Sequence, residues 1–136
     1  MFETINEVAV ATVSLLALAL GSIWYSPLVF GPSWQKSAGL RDEDLTLTKT
    51  ELGRSLVVAL VSNLIAFGVL AYMIRLADTY GISRLTLSGG TILLLVATLV
   101  GQVVWEKKSL VYTLVHAGFI IVMVSAGVVI IGYWPW

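Results

Sequence analysis

The sequence predicts an all-α, polytopic membrane protein whose four transmembrane helices form two hairpins. Of its 136 residues, 58% are hydrophobic and 12% are charged, whereas a soluble domain is nearer half apolar and a quarter charged. A helix that crosses a bilayer needs about 20 mostly apolar residues, and four stretches qualify: 8–25, 55–76, 87–105 and 110–134. These stretches lack the alternation of outer-membrane barrel strands. We therefore expect a single four-helix transmembrane domain over residues 1–136.

The first helix is expected to end in an aromatic segment that lies at the membrane surface. Pro27 and Pro32 lack the amide hydrogen that a continuing helix needs, and Gly31 beside Pro32 indicates a turn. Aromatic rings in such a segment favour the lipid headgroup region. The segment is defined by Tyr25, Pro27, Phe30, Gly31 and Trp34.

The remaining elements follow from charges and caps. The first connection, residues 27–54, is predicted to be a solvated loop with a short helix that begins near Thr48. The second helix lies between Arg54 and Arg75, and Ser88 is the predicted cap of the third. The fourth, Leu110–Trp134, is long enough to tilt in the membrane.

Lysine and arginine predict the orientation. The first and third connections carry Lys36, Arg41, Lys49, Arg54, Lys107 and Lys108, whereas only Arg75 and Arg84 fall on the other side. Short cytoplasmic loops are enriched in these residues. We therefore expect the first and third loops in the cytoplasm and both termini outside.

Composition also limits the chemistry. There is no cysteine, and the formal net charge is zero, so we expect neither disulfides nor a nucleic-acid partner. One histidine without cysteine cannot build the usual zinc sites, and the sequence contains no nucleophile elbow, P-loop or H-E-x-x-H motif. We therefore expect no enzyme, no cofactor and no metal. The acidic N-terminus, Met1–Glu7, favours a retained first helix over a cleaved signal peptide.

Polar residues within a membrane are functional hypotheses by default. At 1.5 Å per residue, the four helices each place one such residue about 5 to 12 Å from their cytoplasmic ends: Ser22, Asn63, Gln102 and His116. Neighbouring helices with short connections come into contact, so we expect these four to surround one polar pocket. A proton-linked role would centre on His116, and the mouth of the pocket is assigned to Trp24, Trp105, Glu106 and Tyr112.

Two interpretations of these polar residues remain open. In the first, they are structural groups that hold the helices together, since interhelical hydrogen bonds contribute about 0.6 kcal/mol each on average. Alternatively, they form a pore or carrier site for a small molecule, an ion or a proton. The alternative function is a non-catalytic membrane subunit or scaffold that assembles with itself or with a partner membrane protein. We also expect a homo-oligomer, because four helices enclose little space and Ala17-xxx-Gly21 would allow close helix contact.

Two motifs resemble a known family. Trp24-Tyr25-Ser26-Pro27, followed by Phe30-Gly31 and Trp34, closes the first helix, and Glu106-Lys107-Lys108 precedes His116-Ala117-Gly118-Phe119. This pattern resembles the bacterial membrane family called domain of unknown function 1761, over nearly the whole chain. Where members of that family carry Lys or Arg after the glycine, this chain has Pro32. The resemblance implies a four-helix protein of a prokaryotic cytoplasmic membrane, and it implies no activity.

Overall fold

The computed structural model describes residues 5–135, so most of the acidic N-terminal stretch lies outside the described residues. The described part contains five α-helices: α1 (Glu7–Trp24), α2 (Gly31–Ala38), α3 (Lys49–Thr79), α4 (Arg84–Trp105) and α5 (Leu110–Gly132). A 3-10 turn, Asp42–Leu45, lies between α2 and α3. All except α2 are long and apolar enough to cross a membrane. The predicted all-α fold with four such helices is therefore confirmed.

Helix α1 begins and ends within one residue of the prediction. The side chain of Asn6 caps it by accepting a hydrogen bond from the amide of Ala9, which satisfies one of the first unpaired amides. The helix ends at Trp24, two residues before the Ser26-Pro27 turn. The buried face of α1 is made of small residues, Ala9, Val13, Ser14 and Ala17 among them.

Helix α2 was not predicted, because Pro32 was interpreted as a helix breaker. Proline is tolerated in the first turn of a helix, where its missing amide hydrogen has no intrahelical partner, and Pro32 occupies that turn. Gly31 is required just before it, since a Cβ there would collide with the carbonyl of Ser26. Gly39, with φ of 74°, ends the helix.

Helix α3 begins six residues earlier than predicted. Thr48 accepts a hydrogen bond from the amide of Glu51 while the Glu51 side chain accepts one from the amide of Thr48, which is the reciprocal capping box. The predicted short helix near Thr48 is thus the first turn of α3. With 31 residues, α3 is roughly 46 Å long at 1.5 Å per residue and extends beyond a hydrocarbon core of about 30 Å.

Helix α4 is capped by Ser83 and not by Ser88, which lies inside the helix. The predicted cap is therefore wrong by five residues.

The earlier start places the guanidinium of Arg84 against Asp78, with Nη2 3.0 Å from Oδ2. Arg84 also donates to the carbonyl of Gly132 and lies 4.6 Å from the ring centre of Tyr133. This arginine consequently ties the adjacent ends of α3, α4 and α5 together.

The helices pack as the two predicted hairpins, α1 against α3 and α4 against α5, and α5 contacts all four other α-helices. The main core lies among α1, α3 and α5, and it includes Val13, Phe67, Leu70, Met123 and Val128. Helix α4 has a single buried residue, Val103. It therefore contributes little to this core and leaves most of its surface uncovered by the chain.

Gly127 permits the close approach of α5 to α3, which generates a first prediction. A Cβ at this position would lie 2.7 Å from the Phe67 ring and 2.9 Å from Leu70. Gly127→Ala is therefore expected to lower the free energy of unfolding by about 1 to 3 kcal/mol, as overpacking does. Chemical unfolding in detergent measures it.

Gly89→Ala is the matched control, because nothing lies within 4 Å of its added Cβ. There the change should be neutral or slightly stabilising, by up to about 1 kcal/mol. Equal effects of the two substitutions would contradict the assigned α3–α5 contact.

Candidate functional site

The fold brings the two family-like motifs into direct contact where α1 ends. The indole Nε1 of Trp24 donates to the carbonyl of Val115 at 3.1 Å. The hydroxyl of Tyr25 and Nδ1 of His116 are hydrogen-bonded at 2.7 Å. Residues that are 91 positions apart in the chain are thus joined by two polar contacts.

Aromatic rings surround this pair from three elements. The ring of Tyr112 stands edge-on to His116 with centres 4.3 Å apart, and Trp34 of α2 is edge-on to Tyr25 at 5.2 Å. Such tilted arrangements contribute about 0.5 to 1.5 kcal/mol beyond the area that they bury. We use the term aromatic cluster for Trp24, Tyr25, Phe30, Trp34, Tyr112, His116 and Phe119.

Glycine explains why the two motifs fit so closely. A Cβ on Gly118 would lie 3.1 Å from the six-membered ring of Trp24, and one on Gly21 would lie 3.5 Å from Phe119. The Ala-Gly step before Phe119 therefore leaves room for Trp24. The sequence signal for Phe119 and Gly118 was the motif itself, although neither residue was assigned to a site.

His116 uses only one of its ring nitrogens. Its Nε2 is buried and has no hydrogen-bond partner among residues 5–135. Whichever tautomer is present, one polar atom of the imidazole is unsatisfied, at a cost of about 1 to 3 kcal/mol. The aromatic cluster can therefore position an imidazole, but its free nitrogen faces protein atoms and no open space.

A large apolar cleft lies between α3 and α4, with α1 and α5 behind it. It measures about 710 Å³ and is lined mostly by aliphatic side chains, Leu70, Leu87, Leu94 and Met123 among them. It extends from the loop between α3 and α4, at Ile82, to Asn63 near the middle of α3. We call it the α3–α4 cleft.

Asn63 is the amide side chain that lines this cleft. Its Nδ2 donates to the backbone carbonyl of Ser14 on α1 at 3.3 Å. Within the described part of the chain, its side-chain oxygen accepts no hydrogen bond. A neutral amide has two donors and an acceptor with two lone pairs, so Asn63 retains unused hydrogen-bonding capacity beside the cleft.

The four residues of the predicted polar pocket occupy separate environments. Ser22 is exposed and donates to the Leu18 carbonyl of its own helix at 2.9 Å. Gln102 is exposed and donates to Glu106 at 2.9 Å. Asn63 and His116 make different interhelical contacts. The structure therefore does not bring the four residues together, because Ser22 and Gln102 have hydrogen-bond partners in or next to their own helices.

The residues assigned to the pocket mouth and to the interfacial segment also lie in different environments: some are exposed, and others belong to the aromatic cluster. Trp105 is 89% exposed, and Glu106 is exposed beside Gln102. The aromatic cluster instead takes in Trp24 and Tyr112 of the predicted mouth and Tyr25, Phe30 and Trp34 of the segment. Pro27 stays exposed in the turn, whereas Gly31 is buried at the start of α2.

The predicted contact surface Ala17-xxx-Gly21 faces the interior of the protein. Ala17 is 4% exposed, and Gly21 faces the ring of Phe119. Small residues let helices approach closely, and here they admit neighbouring helices of the same chain. This pair is therefore unavailable as a surface for a second copy.

Four apolar membrane-length helices, with aromatic rings gathered at one end, define a multi-pass membrane protein in contact with a lipid bilayer. The model of the family described as protein of unknown function, DUF1761, matches residues 8–132. The chain belongs to this family, as its two motifs indicated. No curated protein and no solved structure matches the chain.

The Tyr25–His116 hydrogen bond is testable by a double-mutant cycle. We expect Tyr25→Phe and His116→Ala to be coupled in the free energy of unfolding by about 0.6 kcal/mol, with about 1.7 kcal/mol as the upper range for interhelical hydrogen bonds. Chemical unfolding of both single variants and the double variant measures the coupling.

Tyr80→Phe serves as the control partner for His116→Ala. Tyr80 is 76% exposed and lies in the loop between α3 and α4, away from the cluster. It should show no coupling. Strictly additive effects of Tyr25→Phe and His116→Ala would contradict the contact.

Proposed function

We propose that this protein is a non-catalytic carrier or binding protein of a prokaryotic cytoplasmic membrane, and that it takes up a lipophilic small molecule in the α3–α4 cleft. The observation that carries the proposal is the cleft itself. Its volume of about 710 Å³ falls within the 300 to 1,000 Å³ typical of small-molecule sites, which are mostly apolar with a few polar groups.

The lining of the cleft argues for a lipophilic ligand and against an ion. An ion within a membrane needs charged or multiple polar partners, whereas the walls here carry no charged group and are mostly apolar. The hydroxyls of the two threonines in the lining, Thr86 and Thr91, are hydrogen-bonded to Ser83 and to the Leu87 carbonyl. Small residues line the cleft on both helices, including Ala66 on α3 and Gly90 on α4. They leave the space between these two helices open.

Asn63 supplies the polar selectivity of the site. Its free oxygen is an acceptor in a medium without water, where unsatisfied polar groups are costly. A ligand with a hydroxyl or N–H group at one end of an apolar body would satisfy it. We therefore assign the ligand to the class of long-chain alcohols and similar lipophilic hydrogen-bond donors.

The charge distribution supports an orientation for this carrier. With the first and third loops in the cytoplasm, as the excess of Lys and Arg there favours, the α3–α4 cleft would open in the outer half of the membrane. A ligand would then enter sideways from the outer leaflet and reach Asn63 near the middle of the bilayer.

Filling the cleft tests the proposal. Gly90 lines it, and nothing lies within 4 Å of a Cβ added there, so Gly90→Leu should occupy the space without disturbing the core. We expect this variant to bind radiolabelled 1-dodecanol at least about tenfold more weakly than the wild type, the equivalent of roughly 1.4 kcal/mol of lost contact and well within the value of a buried Leu-sized volume. Binding is measured in nanodiscs of one composition.

Gly89→Leu is the matched control, because Gly89 is equally open but lies 100° around the helix from Gly90. It should bind like the wild type. The methyl ether of dodecanol cannot donate a hydrogen bond. The wild type should therefore bind the ether more weakly than the alcohol, whereas Asn63→Leu should bind the ether and the alcohol equally well. Unchanged alcohol binding by Gly90→Leu would refute the site.

A second candidate function, a non-catalytic subunit or scaffold that assembles with itself, is favoured by the surface of α4. Four exposed residues share one helix face at spacings of three, four and seven positions: Thr98, Gly101, Gln102 and Trp105. Polar and small residues on a lipid-facing surface are typical of helix–helix interfaces. A homo-oligomer would cover them.

Gly101→Leu tests this assembly. If a second copy packs against this face, the added side chain should raise the dissociation constant about tenfold or more, which corresponds to the 1 to 3 kcal/mol cost of overpacking. Native mass spectrometry from nanodiscs measures the oligomer fraction. Gly89→Leu, on another side of α4, should leave the oligomer fraction unchanged. A wild-type protein that is monomeric throughout would exclude this self-assembly.

A further inference from the structure

A second cavity lies at the membrane-surface end where both described termini and the loop between α3 and α4 meet. It measures about 460 Å³ and is bounded by the start of α1 and the adjacent ends of α3, α4 and α5. Its floor is apolar, with Ala71, Ile74 and Ile131, and its rim is polar. The rim consists of Asn6, Arg75, Asp78, Thr79 and Arg84.

The two arginines of the rim differ in their partners. Arg84 is engaged by Asp78, by the carbonyl of Gly132 and by the ring of Tyr133. Arg75 is exposed and lies within 4.0 Å of no carboxylate among residues 5–135. Two positive charges against one negative charge leave the rim with a net charge of plus one, and that charge is carried by Arg75.

The other rim groups add donors and no further anion. The side-chain oxygen of Asn6 accepts from the amide of Ala9, while its amide nitrogen makes no hydrogen bond in the described part of the chain. The hydroxyl of Thr79 donates to the Arg75 carbonyl at 2.9 Å. Glu7, although it follows Asn6 directly, is not part of the cavity wall.

We propose that this cavity binds a phosphate-type oxyanion through Arg75, with the headgroup of an anionic phospholipid as the favoured source. A guanidinium presents a planar fork of donors that matches phosphate oxygens. Arg75 lies four residues before the end of α3, and Lys and Arg near the ends of membrane-spanning helices extend towards the headgroup region. The apolar floor would hold the first methylene groups of the lipid chains, which a free phosphate ion lacks. The site is independent of the α3–α4 cleft and of the proposed carrier function.

Arg75→Gln tests the inference in the full-length protein. In nanodiscs that mix phosphatidylglycerol and phosphatidylcholine with identical chains, native mass spectrometry should show phosphatidylglycerol retained preferentially by the wild type. The variant should retain it about fivefold less tightly, which corresponds to the ~1 kcal/mol that one arginine contributes at an anionic surface. Arg75→Lys should fall between the two, because it keeps the charge and loses the fork.

Arg54→Gln is the matched control, since Arg54 is an exposed arginine at the opposite end of the same helix. An equal loss in Arg54→Gln and Arg75→Gln would show general surface attraction and overturn the site. A further arm adds inorganic phosphate to the protein in phosphatidylcholine nanodiscs. If phosphate stabilises the wild type but not Arg75→Gln, the oxyanion site is supported and its ligand is free phosphate. Retention that is identical in the wild type and Arg75→Gln, with neither lipid nor phosphate affected, would refute it.

Discussion

The packing of α5 against every other α-helix is the constraint on which the structure depends. Helix α5 is the most apolar of the four candidate spans, and it has no Asp, Glu, Lys or Arg between Leu110 and Gly132. In a membrane, burying apolar side chains against protein instead of lipid gains little, so close van der Waals contact decides where helices meet. Gly118 and Gly127 supply that contact on α5, against Trp24 and Phe67 respectively. The other helices are arranged around these close approaches.

Polar contacts then fasten the bundle at its two ends. At one end, Trp24 and Tyr25 reach the backbone and side chain of α5, and Lys108 donates to the carbonyl of Ala38 at the end of α2 at 2.8 Å. At the other end, Arg84 connects α3, α4 and α5. Between the two ends, the Asn63 side chain donates a hydrogen bond to the backbone of α1. These polar contacts therefore join the helices mainly at their ends, and α4 has a single buried residue along its length.

The membrane-spanning helices could be predicted because long apolar runs have one explanation in a chain of this composition. The boundaries of these helices were less predictable where two residues could each cap the same helix. Ser83 and Ser88 are equally good caps by residue type. In the structure the Ser83 hydroxyl also contacts that of Thr86 at 2.8 Å, and the next residue, Arg84, pairs with Asp78 at the end of α3. Helix α2 was missed for a related reason, since Pro32 is compatible with both a break and a first turn.

The candidate site was harder to predict because depth in the membrane does not determine direction. Ser22 and Gln102 have the expected depth, but each finds its partner within its own helix, which removes any need to meet Asn63 or His116. Lipid also fills an apolar cleft at little cost, unlike water, so α3 and α4 can remain apart along aliphatic walls without a stability penalty of the kind a soluble core would incur. The α3–α4 cleft consequently runs along apolar stretches of both helices. Within it, Asn63 is the group whose chemistry can distinguish a bound molecule from the surrounding lipid chains.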